Sequence, residues 1–434
     1  MTENALPVLR PISEPSVPPS RVDLPLPERE NGDVINGKSS FPWTRRELLI
    51  RAAFVPALRA ASSQSKAVNV LSVPRGGIQP QIAVCDDVVH MIYFAGDPKQ
   101  GDVFYTRSND FGGKFSPAIR VNSQLGSAIA IGAIRGAQLS VGKGNRVHVA
   151  WNGSDTAEPR GPINPEAGKP GSPMLYARLD DRTSAFEPQR NLIQETFGLD
   201  GGGTIAADHD GNVYVGWHGK IPGARQGEAG RQVWIARSRD EGRTFAKERP
   251  VSQEPTGACG CCGMRLFADS RGVIHGLYRS ARENVHRDIY AFRSEDGGNS
   301  FSVALLHPWN VNACPMSSMN IIEHGSEVFG AWETQTQVYF APLSRGMSAA
   351  RAGMVAPSGE NPKRKYPALA RNKRGETLLA WVEGAGWQRG GVLGWQFFDK
   401  AGRPSAASEI RQNVPVWSFP AVFARPDESF AIVI

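Results

Sequence analysis

Four of the five cysteines lie in two short segments that are far apart in the chain. Cys259, Cys261 and Cys262 share the stretch Ala-Cys-Gly-Cys-Cys-Gly-Met, and Cys314 lies in Asn-Ala-Cys-Pro-Met. In an oxidising compartment the expected outcome is a disulfide, here from Cys314 to one of the other three. The alternatives are a soft-metal site for copper or zinc and a free redox thiol. No other feature of the sequence requires a cofactor.

Carboxylates follow several apolar segments of the chain. Asp97, Glu333 and Glu383 each come directly after such a segment. Two carboxyl groups on either side of a glycosidic bond are the minimum for glycoside hydrolysis, and these three residues are candidates. Arg279 and His286 are candidate ligand-binding cations in the same kind of loop. Trp387, in a Gly-rich loop after Glu383, is the candidate stacking residue.

A repeat positions these residues. Seven times the chain runs from an apolar strand through a polar turn into a second apolar strand, at a spacing of roughly fifty to seventy residues, which is typical of β-propellers. The second strand often ends in an aromatic residue, for example Trp151 or Trp217. An aromatic residue needed once per blade indicates packing between blades.

The two ends of the repeat array complement each other. The seventh copy ends after its second strand, whereas an unpaired strand at 68–73 precedes the first copy. A propeller has no open sheet edge only when its ring closes, so the N-terminal strand is predicted to complete the last blade. The fold class is therefore all-β, a propeller with seven blades, and six blades is the alternative.

Three turns carry a more specific motif, Ser-x-Asp-x-Gly-x-x-Phe. The motif occupies 108–115, 238–245 and 294–301, and a degenerate fourth copy lies at 179–186. The Asp carboxylate can accept hydrogen bonds from turn amides, and glycine allows the positive φ that the turn needs. This motif resembles the Asp box, or BNR repeat, of sialidase-like propellers.

The resemblance implies a functional face opposite the Asp boxes. Sialidases use an arginine triad for the substrate carboxylate, and Arg75, Arg135 and Arg265 are the corresponding candidates. The resemblance also implies a tyrosine nucleophile, Tyr366, paired with Glu333 or Glu383, and an acid, Asp97. The chain departs from the family in lacking the early Arg-Ile-Pro segment and in exceeding six blades.

The charge pattern argues against nucleic acid as a partner. The net charge is +7 over 434 residues, and the chain has no dense Lys/Arg stripe interleaved with aromatic residues. The basic cluster Lys363-Arg364-Lys365 is interpreted as solvated loop charge.

The first 66 residues differ from the rest of the chain. They are rich in proline and polar residues, which predicts a disordered leader. Arg45-Arg46, a weakly apolar stretch and then small residues follow in the order of a twin-arginine export signal. Export to the periplasm or the cell exterior is therefore predicted. No stretch has the length of a transmembrane span. Residues 67–434 are predicted to form one propeller domain.

The leading hypothesis is an exported, sialidase-like propeller that binds a glycan or similar polar ligand at its central channel, with exo-sialidase-like hydrolysis as the enzymatic version. A non-catalytic propeller with a Cys-rich metal or redox site is the first alternative. The second is a scaffold that binds a protein partner through the Pro/Gly-rich loop 152–174.

Overall fold

The inner strands of seven sheets contact one another in a closed ring around a central channel. The structure, a computed structural model, describes residues 68–360, 363–405 and 412–434. The predicted leader and its twin-arginine motif lie outside the described residues. Among the described residues, no helix has the length and apolar character needed to cross a membrane.

The first three blades follow an N-terminal strand, β1 (Val68–Leu71). Blade one consists of β2 (Ile78–Cys85), β3 (Val88–Asp97), β4 (Gln100–Ser108) and β5 (Ile119–Arg120). Blade two contains β6 (Gln138–Val141) and β7 (Val147–Asn152), an inserted hairpin of β8 (Ile163–Asn164) and β9 (Lys169–Pro170), and then β10 (Met174–Asp180), β11 (Ala185–Phe186) and β12 (Arg190–Asn191). Blade three consists of β13 (Thr204–Ala207), β14 (Val213–Gly219), β15 (Gln232–Ser238) and β16 (Arg249–Pro250).

Blades four to seven complete the ring. Blade four consists of β17 (Arg265–Ala268), β18 (Ile274–Arg279), β19 (Ile289–Ser294) and β20 (Ser302–His307). Blade five contains β21 (Asn320–His324), β22 (Glu327–Thr334) and β23 (Gln337–Pro342), followed by the helix α1 (Met347–Ala352). Blade six consists of β24 (Arg364–Arg371), β25 (Thr377–Glu383), β26 (Gly391–Phe398) and β27 (Asn413–Val414), and blade seven of β28 (Ala421–Ala424), β29 (Phe430–Val433) and β1. Short 3-10 turns lie at Pro74–Gly76, Lys143–Asn145 and Glu228–Gly230.

The N-terminal strand closes the ring, as predicted. β1 pairs with β29 in parallel, from Val68 opposite Phe430 to Leu71 opposite Val433. The chain continues from the end of β1 into β2, which begins on the face of the ring where β29 ends. β1 therefore runs in the same direction as β29. The prediction of seven blades is confirmed, and the six-bladed alternative is wrong.

The aromatic residues at the ends of the second strands form part of the hydrophobic core. Trp151, Trp217 and Trp332 are each no more than 1 % exposed. The Trp217 indole N–H donates to Thr196 Oγ1 at 2.9 Å, which satisfies its polar group inside the core. Buried residues of neighbouring blades share clusters, so blade-to-blade packing holds the disc together.

The Ser-x-Asp turns join the third and fourth strands of blades one, three and four. In blade three, Asp240 Oδ1 accepts a hydrogen bond from the Thr244 amide at 2.9 Å, and Ser238 Oγ accepts from the Gly242 amide at 2.8 Å. Gly242 has φ +76°, which glycine adopts without strain. Since successive strands of a blade are antiparallel, these turns mark one face, and the loops between second and third strands lie on the other.

Candidate functional site

The larger opening of the channel lies on the face of the Ser-x-Asp turns. A cavity of about 470 Å³ there is lined by the ends of the inner strands and the turns that follow them. The acidic residues that line this cavity accept hydrogen bonds from the turns. Asp208 Oδ1 accepts from the Asn212 amide at 2.8 Å, and Asp269 Oδ1 accepts from the Val273 amide at 2.9 Å. Glu323 accepts from the Ser270 hydroxyl at 2.7 Å and from the Ser270 amide at 2.9 Å. The three acidic side chains that line this cavity therefore stabilise local structure.

Arg265 crosses the channel between the two faces. It begins the inner strand of blade four, and its Nη1 donates to Gln81 Oε1 at 2.9 Å and Gln138 Oε1 at 2.5 Å on blades one and two. Burial lowers the pKa of the guanidinium to about 10. The cavity at this level is only about 50 Å³. Arg265 thus narrows the channel.

The other two members of the predicted arginine triad lie elsewhere. Arg75 is exposed, with its guanidinium 5.7 Å from the centre of the Phe104 ring. Arg135 donates from Nε to the Asp200 carbonyl at 3.0 Å and pairs through Nη2 with the Asp200 carboxylate. The structure therefore gives the three arginines separate partners.

Trp387 and Arg135 meet at the channel mouth on the face opposite the Ser-x-Asp turns. Trp387, from the loop between β25 and β26, is 42 % exposed, and the Arg135 guanidinium lies 5.9 Å from its ring centre. The Trp417 ring centre is 6.3 Å away at an interplanar angle of 60°. A Cβ on Gly132 would come within 2.8 Å of the Trp387 ring, so glycine there lets the ring lie against the backbone.

The predicted carboxylates have different environments. Asp97 is exposed and accepts from the Lys99 amide at 2.9 Å in its own loop. Glu383 is partly exposed and accepts from the Trp381 indole N–H at 2.9 Å, with Arg364 Nε at 3.4 Å. Glu333 is fully buried, and burial raises its pKa although Arg279 opposes the shift.

Tyr366 lies deep in the same region as Glu333. It is 6 % exposed, and burial raises the pKa of its phenol well above the usual range, with the charges of Cys262 and Glu333 acting in the same direction. The side chains of Tyr366 and Glu333 therefore both lie in the protein interior. His286 is half-buried at the end of another loop, with Nε2 3.5 Å from Glu283.

The four clustered cysteines do come together. Cys261 and Cys314 form a disulfide that links the segments leading into blades four and five, as the preferred interpretation predicted. Cys259 Sγ lies 3.2 Å from Cys261 Sγ and 3.3 Å from Cys262 Sγ. The predicted metal site therefore has two of its sulfur atoms in a disulfide, with Cys259 and Cys262 as free, buried thiols.

Charged side chains lie beside these sulfur atoms. Glu228 accepts from the Gly260 amide at 2.8 Å and pairs with Arg287 Nη1 at 2.6 Å. Burial raises the pKa of Cys262, but the hydrogen bond from Cys259, the charge of Arg279 and the Ser317 amide outweigh it and lower the pKa to about 7. The pKa of Cys259 is raised well above its usual value, first by its hydrogen bond to Cys262 and then by burial.

Two charged residues beside the cysteine segments, Glu228 and Lys365, were not predicted as site residues from the sequence. Glu228 lies in a loop without a recognisable motif, so no sequence signal marks it. Lys365 belongs to the basic cluster interpreted as solvated, and that interpretation is wrong for Arg364 and Lys365. Arg364 is 4 % exposed on β24, and the half-buried Lys365 donates from Nζ to the Pro315 carbonyl. Neighbouring side chains of a strand point to opposite faces of its sheet, and both faces are covered here. Arg364 packs over the Trp381 ring of its own blade, whereas Lys365 reaches the segment that leads into blade five.

Comparisons with known proteins found similar solved structures only. No family model and no curated protein matches the chain. Similar solved structures include the Penicillium chrysogenum alpha-L-arabinanase, with 14 % identity, a TM-score of 0.49, and coverage of 76 % of this chain and 94 % of that one. A Hadza microbial sialidase has 12 % identity, a TM-score of 0.43 and coverage of 75 % and 69 %. Trypanosoma rangeli sialidase has 12 % identity, a TM-score of 0.45 and coverage of 71 % and 53 %, so the chain spans about half its length.

The strand order of the seven sheets defines the class of fold as a seven-bladed β-propeller. At these identities and scores, none of the three proteins transfers an activity to this chain.

Proposed function

We propose that the protein binds a glycan, or a polar ligand of similar shape, at the channel mouth opposite the Ser-x-Asp turns. The observation that carries the proposal is the exposed Trp387 ring beside the Arg135–Asp200 pair. Among the described residues, Trp387 is the one aromatic residue in the class of exposed large hydrophobic side chains, and an aromatic surface edged by polar groups is typical of a binding site.

The chemistry of a sugar suits this surface. A pyranose ring has an apolar C–H face and a rim of hydroxyl groups. The face of the Trp387 indole ring is the negative part of its quadrupole and attracts the C–H groups. Arg135 supplies donors, and the Asp200 carboxylate, 33 % exposed, supplies acceptors for the hydroxyl groups.

The narrow channel limits the ligand to the mouth. Arg265 and its two glutamine partners leave a cavity of only about 50 Å³ inside the channel. A sugar ring does not fit there.

Hydrolysis is the enzymatic extension of this proposal. Glu383 and Trp387 belong to the same loop region, so Glu383 is the carboxylate that we assign to the ligand, whereas the buried Glu333 and Tyr366 are out of its reach. Export by the twin-arginine route remains a prediction from the sequence.

The test is a glycan array followed by fluorescence titration of each hit. We expect Trp387→Ala to weaken binding about tenfold or more, equivalent to roughly 1.4 kcal/mol, while Leu125→Ala, which truncates another exposed apolar side chain, leaves it unchanged. Equal affinities of wild type and Trp387→Ala, with both folded, would overturn the proposal, as would the absence of any hit. The same hits as fluorogenic glycosides, including a sialoside, test hydrolysis, which Glu383→Gln should abolish.

A further inference from the structure

We propose that the four clustered cysteines form a thiol–disulfide relay, which passes two electrons from the buried Cys259 and Cys262 thiols through the Cys261–Cys314 disulfide to an external disulfide. This inference is independent of the proposed glycan site.

The sulfur atoms form a connected chain. Cys262 Sγ lies 3.3 Å from Cys259 Sγ, which lies 3.2 Å from Cys261 Sγ, which is bonded to Cys314. Thiol–disulfide exchange requires a thiolate next to a disulfide sulfur, and Cys259 has that position. Cys259 and Cys262 also have the Cys-x-x-Cys spacing found in redox dithiols.

Solvent exposure increases along this chain of sulfur atoms. Cys259 and Cys262 are 0 % exposed, Cys261 is half-buried, and Cys314 is exposed. An external disulfide can therefore reach Cys314 but not the buried thiols. In the relay, the buried thiols react with the Cys261–Cys314 disulfide, and only Cys314 reacts with the external disulfide.

Two buried arginines flank the buried pair of thiols. The Arg279 carbonyl accepts a hydrogen bond from the Cys259 amide at 2.9 Å, and Arg287 pairs with Glu228, which accepts from the Gly260 amide between the cysteines. The Nε atoms of Arg279 and Arg287 are buried without a hydrogen-bond partner among the described residues, so both guanidiniums keep a donor uncommitted.

The first two steps move the disulfide inward without an oxidant. Cys259 attacks Cys261 Sγ as a thiolate, and its proton goes to the leaving Cys314 sulfur. The Cys259–Cys261 bond forms, the Cys261–Cys314 bond breaks, and the electron pair leaves on Cys314. Cys262 then attacks Cys259 Sγ as a thiolate, and its proton goes to the leaving Cys261 sulfur. The Cys259–Cys262 bond forms, the Cys259–Cys261 bond breaks, and Cys261 is left as a thiol.

The last steps reduce the external disulfide. Cys314 attacks it, forming a mixed disulfide and releasing one thiol. Cys261 then attacks Cys314, restores the Cys261–Cys314 bond and releases the second thiol. The net change is oxidation of the Cys259 and Cys262 thiols to a disulfide and reduction of one external disulfide to two thiols.

Alkylation of the unsubstituted full chain tests the internal steps. Native protein is treated with N-ethylmaleimide without oxidant, and its peptides are mapped by mass spectrometry. The relay predicts label on Cys314 and Cys261, with a new Cys259–Cys262 disulfide. Label confined to Cys259 and Cys262, or to Cys85, with Cys261–Cys314 retained, would overturn the proposal. Stoichiometric copper or zinc in the native protein would also overturn it.

Glutathione disulfide tests the complete reaction. Reaction of the Cys85→Ser protein, used as background to remove the remaining thiol, should release two glutathione molecules per chain. Adding Cys261→Ser and Cys314→Ser should slow formation of the Cys259–Cys262 disulfide at least tenfold, provided that circular dichroism shows the fold intact. Equal rates in a folded triple variant would contradict the relay, and if that variant does not fold, the alkylation map decides.

Discussion

Arg279 and Glu333 form an ion pair in which neither side chain is exposed to solvent, with Arg279 Nη2 3.1 Å from Glu333 Oε2. Arg279 Nη1 also donates to the Arg287 carbonyl at 2.7 Å, and the Thr336 amide donates to Glu333 at 2.9 Å. The pair thus links blades four and five directly beside the cysteine cluster.

Breaking this pair should destabilise the protein strongly. Glu333→Gln or Arg279→Met leaves the other charge buried and unpaired, and we expect each to lower the free energy of unfolding by about 3–5 kcal/mol. The double variant Arg279→Met/Glu333→Leu removes both charges and should cost less than the sum of the single variants. Urea unfolding measures all three, and strictly additive losses would contradict the coupling.

Ring closure should depend on β1. Three side chains of β1 are half-buried and pack against two hydrophobic clusters, each of which contains residues of β29. These side chains are Val68, Val70 and Leu71. At roughly 1 kcal/mol for each half-buried side chain, a chain lacking residues 1–71 should be about 3 kcal/mol less stable than one lacking 1–66. Thermal unfolding of the two chains compares them directly. Equal melting temperatures would show that the parallel pairing does not contribute.

The Ser-x-Asp turn of blade three should lose its stabilising effect in acid. Burial tends to raise the pKa of Asp240, but hydrogen bonds from the Thr244 amide, Ser238 Oγ and Thr244 Oγ1 outweigh it and lower the pKa to about 2. A carboxylate with a depressed pKa in the native state stabilises the fold above its unfolded pKa near 4. This stabilisation is lost as the pH falls from about 4 through about 2.

Asp240→Asn should therefore lower stability at pH 7 and reduce the loss of stability between pH 4 and pH 2. Asp155→Asn, which removes the same charge from an exposed loop on the opposite face, is the control. Melting temperatures of the three proteins are measured across this pH range. Parallel pH profiles for wild type and Asp240→Asn would contradict the claim that the Asp240 carboxylate stabilises the turn above pH 4.

The local features of the fold were readable from the sequence. Each blade begins as a hairpin of neighbouring segments, and the hydrogen bonds of a Ser-x-Asp turn lie within five residues, as from Asp240 to Thr244. Strand alternation and turn chemistry act over such short distances, so seven blades and the closing strand could be predicted. The two cysteine segments precede consecutive blades, which made a bridge from Cys314 to one of the three other cysteines predictable, and the structure identifies Cys261 as its partner.

The partners of the charged side chains depend on the ring itself. Arg135 and Trp387 come from opposite parts of the chain and meet only because loops of blades two and six converge on one mouth. Arg265 meets Gln81 and Gln138 because inner strands face one another across a narrow channel. The inward turn of Arg364, and the burial of Glu333, follow from packing between blades.

The sequence alone determined the blade architecture, the strand that closes it and the cysteine segments that meet. Only the tertiary structure decided which arginines bind protein groups, which carboxylates stay exposed and that the free thiols are buried behind a disulfide. The physical reason is distance along the chain. Short-range patterns select strands and turns, whereas burial and charge pairing arise between segments that become neighbours when the ring closes.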